Sequence, residues 1–256
     1  MGAITRLWRG DGVEVVRVRA PGGRLAYDRH FHDDWVIGVN LTGREHLWLD
    51  HRDHDVAAGS ITAYEPGAVQ AGRFEGPEAD FVSLYVSQEA WRRLAEDAAG
   101  DGDTRLARPV IDDPPVAGGL VALARDPSAE AALVVLGTLV RHHGTRLPPA
   151  LAAAPDRLAR AAEFLRATLD RPVDLAELAA VTGLSRYHLA RSFHARYGLP
   201  PRLWHQQLRV DAARRQIDSG RPLAEVALDL GFADQSHLTT AFRRVMGTTP
   251  GRWRNA

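Results

Sequence analysis

The sequence predicts a two-domain α+β protein, with an antiparallel β-barrel and following helices in front and an all-α domain of paired helix-turn-helix units behind. Three observations carry this. Hydrophobicity alternates with period two up to about Ser87, the texture turns helical from Gln88, and the last hundred residues hold a degenerate repeat of about 48 residues. A chain of 256 residues has room for two separate cores.

In the front part, alternating runs occur at 13–18, 35–41, 46–49, 60–64 and 80–86. Turn residues separate them at Pro21-Gly22-Gly23, Thr42-Gly43, Ala58-Gly59 and Pro66-Gly67. Short strands at this spacing form sandwiches or barrels. Helical patterns follow at Gln88–Ala99, 116–125 and 128–143. The last carries an apolar stripe of Ala132, Leu133, Leu136, Leu139 and Val140, which either packs on the barrel or forms a dimer. Pro148, Pro149 and Pro155 mark a linker. The boundaries are therefore 1–145 for the front domain (barrel about 10–90, helices about 88–145), 146–155 for the linker and 156–256 for the tail.

In the tail, Asp156 is placed to cap a helix running to about Leu169, with Pro172 ending it. Leu175-Ala176-Glu177 recurs as Leu223-Ala224-Glu225, and Gly183-Leu184 as Gly231-Phe232. Gly198, Pro201 and Trp204 recur as Gly247, Pro250 and Trp253. In each copy a short helix meets a glycine suited to a left-handed turn, and Ser185 or Asp234 then caps a longer helix. Residues 201–218 between the copies read as one helix about 27 Å long.

Composition narrows the function classes. There is no cysteine, which excludes disulfides and thiolate metal sites. The start lacks the apolar run of a signal peptide, no stretch approaches the ~20 apolar residues of a membrane span, and Arg6 breaks a myristoylation pattern. A cytoplasmic location without a membrane partner is expected. The zero net charge hides a split. Residues 1–156 carry 16 arginines against 23 acidic residues, a formal −7, and residues 157–256 carry 16 against 9, a formal +7. A basic tail behind an acidic front implies a polyanionic partner. The complete absence of lysine reflects genome composition.

The tail resembles the paired helix-turn-helix domain of the AraC/XylS family of transcription regulators. The likeness spans about residues 157–254. It rests on Leu178-Ala179-x-x-Thr182-Gly183-Leu184-Ser185-x-x-His188-Leu189-x-Arg191-x-Phe193, and on Val226-Ala227-x-x-Leu230-Gly231-Phe232-x-Asp234-Gln235-Ser236-His237-Leu238-x-x-Ala241-Phe242-Arg243. Gly247-x-x-Pro250-x-x-Trp253-Arg254 completes it. The resemblance implies a partner of double-stranded DNA, contact with RNA polymerase and a homodimer. Leu189 and Phe193 must face the core, which turns Arg186, Tyr187, Ala190 and Arg191 outward. By resemblance the base contacts fall on Tyr187, Ala190 and Arg191, and Arg191 suits a bidentate contact to guanine. The second outward set is Gln235, Ser236, His237 and Thr240. Arg202, Arg209, Arg214, Arg215, Arg243, Arg244, Arg252 and Arg254 are candidates for phosphate contacts.

The front part resembles the cupin-type barrel common in that family, through His30-Phe31-His32 at the start of a strand, Thr42-Gly43 and Gly59-Ser60-x-x-x-Tyr64-x-Pro66-Gly67. It implies a cupin-like chamber for a small-molecule effector, with His30, His32, Trp35, Trp48, Tyr64 and Tyr85 as candidate lining. Metal-binding cupins add a glutamate four or five residues after the histidine pair and a later histidine. Here those places hold Val36 or Ile37, and Gln70. No metal, no cofactor and no catalysis are therefore expected. Two alternatives stay open: a cupin metalloenzyme with a DNA-binding tail, and an effector-independent regulator with an inert barrel.

Overall fold

The front of the chain runs β1 (Ala3–Gly10), β2 (Val13–Pro21), β3 (Ala26–His30), β4 (Trp35–Leu49), β5 (Arg52–Val56), β6 (Ile61–Tyr64) and β7 (Gln70–Val86). It continues as α1 (Gln88–Ala99), β8 (Arg105–Leu106), β9 (Val110–Ile111), α2 (Pro114–Leu123), α3 (Ala129–His143) and β10 (Gly144–Thr145). The computed structural model describes residues 3–21, 25–49, 51–145 and 156–255. They fall into two compact units, one drawn from residues 1–26 and 32–150, the other from residues 27–31 and 151–256. Gly22 and Gly23 of the expected first turn and the expected linker 146–155 lie outside the described residues.

The first unit is an antiparallel sheet in the order β1-β2-β7-β4-β6-β9, with β5 on the far half of β4. Its spine is β4 against β7, paired from Trp35 opposite Val86 to Leu49 opposite Gln70. The expected break at Thr42-Gly43 is corrected here: β4 passes through it as one bent strand whose register shifts on both sides of Thr42. Gly43 takes φ +81, and a Cβ there would stand 2.9 Å from the Glu78 carbonyl oxygen. A glycine with positive φ thus serves a bulge that bends the strand. Likewise, His30 ends β3 rather than beginning a strand.

Alternation along the bent strands sorts side chains onto two faces. On one face Trp35, Ile37, Val39, Ile61, Val82 and Leu84 pack with Trp91, Leu94, Leu120 and Leu136 of the three helices. Trp35 and Trp91 stack at 4.1 Å between ring centroids. On the other face, both halves of β4 contribute to one apolar cluster of Val36, Leu47, Leu49, Val56 and Tyr64. The helices begin at side-chain caps: Ser87 accepts from the Ala90 amide, Asp113 from Val116 and Ser128 from Ala131. The α3 stripe divides. Ala132, Leu136, Leu139 and Val140 are buried in the core that the helices share with the sheet, while Leu133 and Val134 are 55% and 62% exposed.

The second unit holds α4 (Arg157–Ala167), α5 (Leu175–Thr182), α6 (Arg186–Tyr197), α7 (Pro201–Asp218), α8 (Leu223–Asp229), α9 (Gln235–Met246) and α10 (Pro250–Arg254). Asp156 caps α4 through the Leu158 amide, 2.9 Å. Helix α7 packs against α4 and α6 and also against α8, α9 and α10. Trp204, Phe193, Phe242 and Trp253 are wholly buried. Truncation to alanine at such sites typically costs ~3–5 kcal/mol.

Candidate nucleic-acid interface and ligand chamber

Each helix-turn-helix is assembled from local signals. Gly183 ends α5 at φ +67, and Ser185 then accepts from the His188 amide to start α6. Thr182 seals the turn, donating from Oγ1 towards the Leu178 and Ala179 carbonyls (both 3.1 Å) and accepting from the Leu184 amide. In the second copy Gly231 has φ +64, and Asp234 accepts from the His237 amide at 2.7 Å.

With Leu189 and Phe193 fully buried, α6 turns Arg186, Tyr187 and Arg191 to solvent and leaves Ala190 half-buried. Tyr187 is 75% exposed, unusual for an aromatic side chain on a well-packed helix. Helix α9 buries Leu238, Ala241, Phe242, Val245 and Met246, and exposes Gln235, Ser236, His237 and Thr240. His237 is partly committed to its own turn: Nδ1 accepts from the Ala233 amide at 3.3 Å, and the ring meets Phe232 edge-on. That bond leaves the ring proton on Nε2. Both sets of base-reading candidates therefore share the exposed side of the second helix in their copy.

The arginines separate into two kinds. Arg186, Arg191, Arg202, Arg243, Arg244 and Arg252 are exposed and have no acidic partner among the described residues. Arg171, Arg196, Arg215 and Arg221 pair with Glu177, Asp156, Asp211 and Asp229. Three phosphate candidates, and Arg215 in part, require correction. Arg209 is buried with its guanidinium 4.4 Å from the Phe232 ring centroid, and burial lowers its pKa. Arg214 is buried beside Asp211 at 3.5 Å. Arg254 is half-buried and donates to the Arg221 carbonyl. Arg215 remains exposed but already holds Asp211 at 2.9 Å. For Arg209 and Arg214 the physical reason is their place on the packed sides of α7, whereas Arg254, on α10, is turned to the Arg221 carbonyl.

In the first unit, the face bearing Leu47 and Leu49 also buries Glu45. Burial pushes the Glu45 carboxyl up to about 7, while a hydrogen bond from Asn40 Nδ2 (3.4 Å) pulls the other way. The Tyr64 hydroxyl is raised well above its ordinary value by burial and by Glu45. His32 meets Tyr85 edge-on at 5.2 Å, and Gln70 is buried. The result is a largely apolar sheet face with a few polar groups among it, the wall that the expected chamber requires.

Of the six expected lining residues, His32, Tyr64 and Tyr85 belong to this environment. Trp35 lies on the opposite, helix-facing side against Trp91, and Trp48 is half-buried on the outer face beside His51. His30 belongs with the second unit, where its Nδ1 is 2.8 Å from the Asp28 carbonyl and burial lowers its pKa. Glu45 and Asn40 are polar members of the wall that the sequence reading misses, and Gln70, named there only for its place in the metal pattern, joins them. Glu45 shares the i, i+2, i+4 parity of Leu47 and Leu49, a signal available in the sequence.

Comparisons with known proteins agree with both halves. The model described as an AraC-like ligand binding domain matches residues 12–133, and one described as a helix-turn-helix domain matches residues 178–256. An uncharacterized HTH-type transcriptional regulator, YbfI of Bacillus subtilis strain 168, is 25% identical over 237 residues, covering 88% of this chain and 86% of that protein. A putative AraC-like transcription regulator of Streptomyces antibioticus is 34% identical over 129 residues, 48% of this chain and 43% of that protein. The matched stretch thus spans less than half the length of the latter. Among solved structures, ToxT from Vibrio cholerae O395 superposes with a TM-score of 0.63 at 12% identity, over 95% of this chain and 97% of that one. Wild-type ToxT bound to an unsaturated fatty acid gives 0.60 at 13%, over 94% of each. At such identities the likeness speaks to fold alone. The chain belongs to the AraC/XylS family of transcription regulators, an AraC-like ligand-binding domain followed by a helix-turn-helix DNA-binding domain.

Proposed function

We propose that this chain is a one-component regulator whose tail, residues 156–256, reads a specific duplex with α6 and α9 while a small molecule held by residues 1–145 sets its occupancy. The observation that carries this is the coincidence, in one compact unit, of two capped helices with exposed polar faces and of exposed arginines without acidic partners among the described residues. Helices presented in this way enter successive major grooves, and such arginines supply the phosphate attraction. Arg191 is the sharpest base reader, and Gln235, Ser236, His237 and Thr240 read more softly. Selection of bound fragments from the source genome, followed by titration at several salt concentrations, tests this reading. A specific site with a steep salt dependence is expected; equal affinity for selected and random duplexes overturns it.

The chamber supports an apolar effector that donates a hydrogen bond to Glu45. ToxT has been solved with an unsaturated fatty acid. Here a ligand carboxylate would meet another carboxyl in a buried setting, which is unfavourable unless one of the two is protonated. The effector acts by favouring one conformational population, and no catalytic step is assigned to the chamber. The exposed Leu133 and Val134 on α3 support a homodimer. Contact with RNA polymerase and a cytoplasmic location follow from the regulator's role.

A further inference from the structure

The helices of the first unit hold a cluster that the DNA-binding reading does not use. Asp113, His142 and His143 bring a carboxylate oxygen and two imidazole nitrogens within 4.8 Å of one another. His142 Nδ1 and His143 Nε2 each lie 2.8 Å from the same atom, Asp113 Oδ2. Adjacent residues of an α-helix diverge by about 100°, so two neighbouring histidines rarely meet on one atom. They meet here because α3 stops between them and the strand that follows. Gly144 is extended (φ −64, ψ 138), β10 pairs with β8, and the His143 carbonyl accepts from the Ala107 amide at 3.2 Å.

The carboxylate is equally fixed. Its other oxygen, Oδ1, caps α2 by accepting from the Val116 amide at 3.1 Å, and the Asp113 carbonyl accepts from Ala117 at 2.9 Å. Outer hydrogen bonds of this kind orient metal ligands. The negative end of the α3 dipole also faces this point. Asp113 is buried, His143 is half-buried and His142 is exposed, which leaves an open side for entry and for water.

We propose that Asp113, His142 and His143 form a binding site for a divalent transition-metal ion of zinc-like preference, pinning the start of α2 to the end of α3. Two imidazoles and one carboxylate suit such an ion, with a fourth position left to water. Ligands at ~2.0–2.1 Å in tetrahedral geometry lie about 3.4 Å apart, so each histidine–carboxylate pair need open by only about 0.6 Å from the hydrogen-bonded arrangement. The inference is independent of the DNA-binding reading.

The test is zinc titration of the metal-stripped full-length chain, wild type against the H142Q/H143Q and D113N variants, followed by competition with a chromophoric chelator. Wild type is expected to take up one more equivalent of zinc than either variant, or to bind it at least tenfold more tightly. Cobalt in its place should show the visible absorption of a four-coordinate site, lost in both variants. Asparagine also caps helices, so D113N keeps α2 capped and decides the matter alone if the double variant fails to fold. Equal uptake by wild type and D113N overturns the proposal, leaving the cluster as a hydrogen-bonded ion pair only. So does no uptake by wild type.

Discussion

A Cβ added to Gly231 would stand 2.6 Å from the Arg171 Cα and 2.7 Å from the Asp170 carbonyl oxygen. The turn of the second helix-turn-helix is thus wedged against the backbone that precedes α5. Gly183, its counterpart in the first copy, has the same left-handed backbone and nothing within 4 Å of where a Cβ would be. Gly183→Ala should therefore cost only the left-handed strain, ~1–2 kcal/mol. Gly231→Ala adds a clash with main chain and should cost clearly more, ~3 kcal/mol or above. Denaturant midpoints of the two variants measure the difference, and equal midpoints would refute the wedge.

Arg191→Ala should weaken binding of the preferred duplex by ~1–3 kcal/mol and relax preference at one base pair. Arg243→Ala should instead weaken selected and random duplexes alike and reduce the salt slope by about 1. Arg209→Ala should leave the salt slope unchanged while lowering the melting temperature, because its guanidinium lies over Phe232 rather than in solvent. Anisotropy titrations across a salt series, paired with melting curves, separate the three outcomes.

Glu45 gives the first unit a pH signature. Its folded pKa of about 7 exceeds the ordinary value of 4.5, so the folded chain binds the proton more tightly than the unfolded one. Stability from this group is full below about pH 4.5 and is lost as pH rises through 7, an effect on the order of 3 kcal/mol. Glu45→Gln should flatten that part of the stability–pH curve. If the wild-type curve and the variant curve run parallel between pH 5 and 7, Glu45 titrates normally.

Leu133→Glu with Val134→Glu should convert the proposed homodimer to a monomer, seen by sedimentation, with the melting temperature of the monomeric unit little changed. Both side chains are more than half exposed in the single chain, so their replacement disturbs little packing inside it.

The helices are legible where termini carry their own chemistry. Ser87, Asp174 and Ser185 cap, Gly100, Gly183 and Gly198 close, and the bounds of α1, α5 and α6 follow directly from such residues. The sheet is less legible, because a glycine with positive φ serves a hairpin and a bulge equally well and only the β7 partner decides between them at Gly43. The strand Arg52–Val56 is hidden because its charged residues mask the alternation. Which face of β4 is enclosed also depends on long-range pairing. The resemblance to a cupin barrel therefore names Trp35 and Trp48 as lining, and Glu45, though it shares the parity of Leu47 and Leu49, is marked only once the bulges on either side of Thr42 fix which face that half of β4 presents. In the tail, the exposed reading faces follow from helical period alone. The fate of Arg209 and Arg214 does not, because it depends on the neighbours of α7 rather than on α7 itself.

Helix α7 packs on members of both helix-turn-helix copies and is buried along most of its length. It therefore behaves as a spacer of fixed gauge. A duplex read by both copies is measured as well as read, because each inserted base pair shifts the second set of bases by ~3.4 Å along the axis and turns it away from its helix. The intervening nucleotides, though no side chain need touch them, are thereby constrained in number.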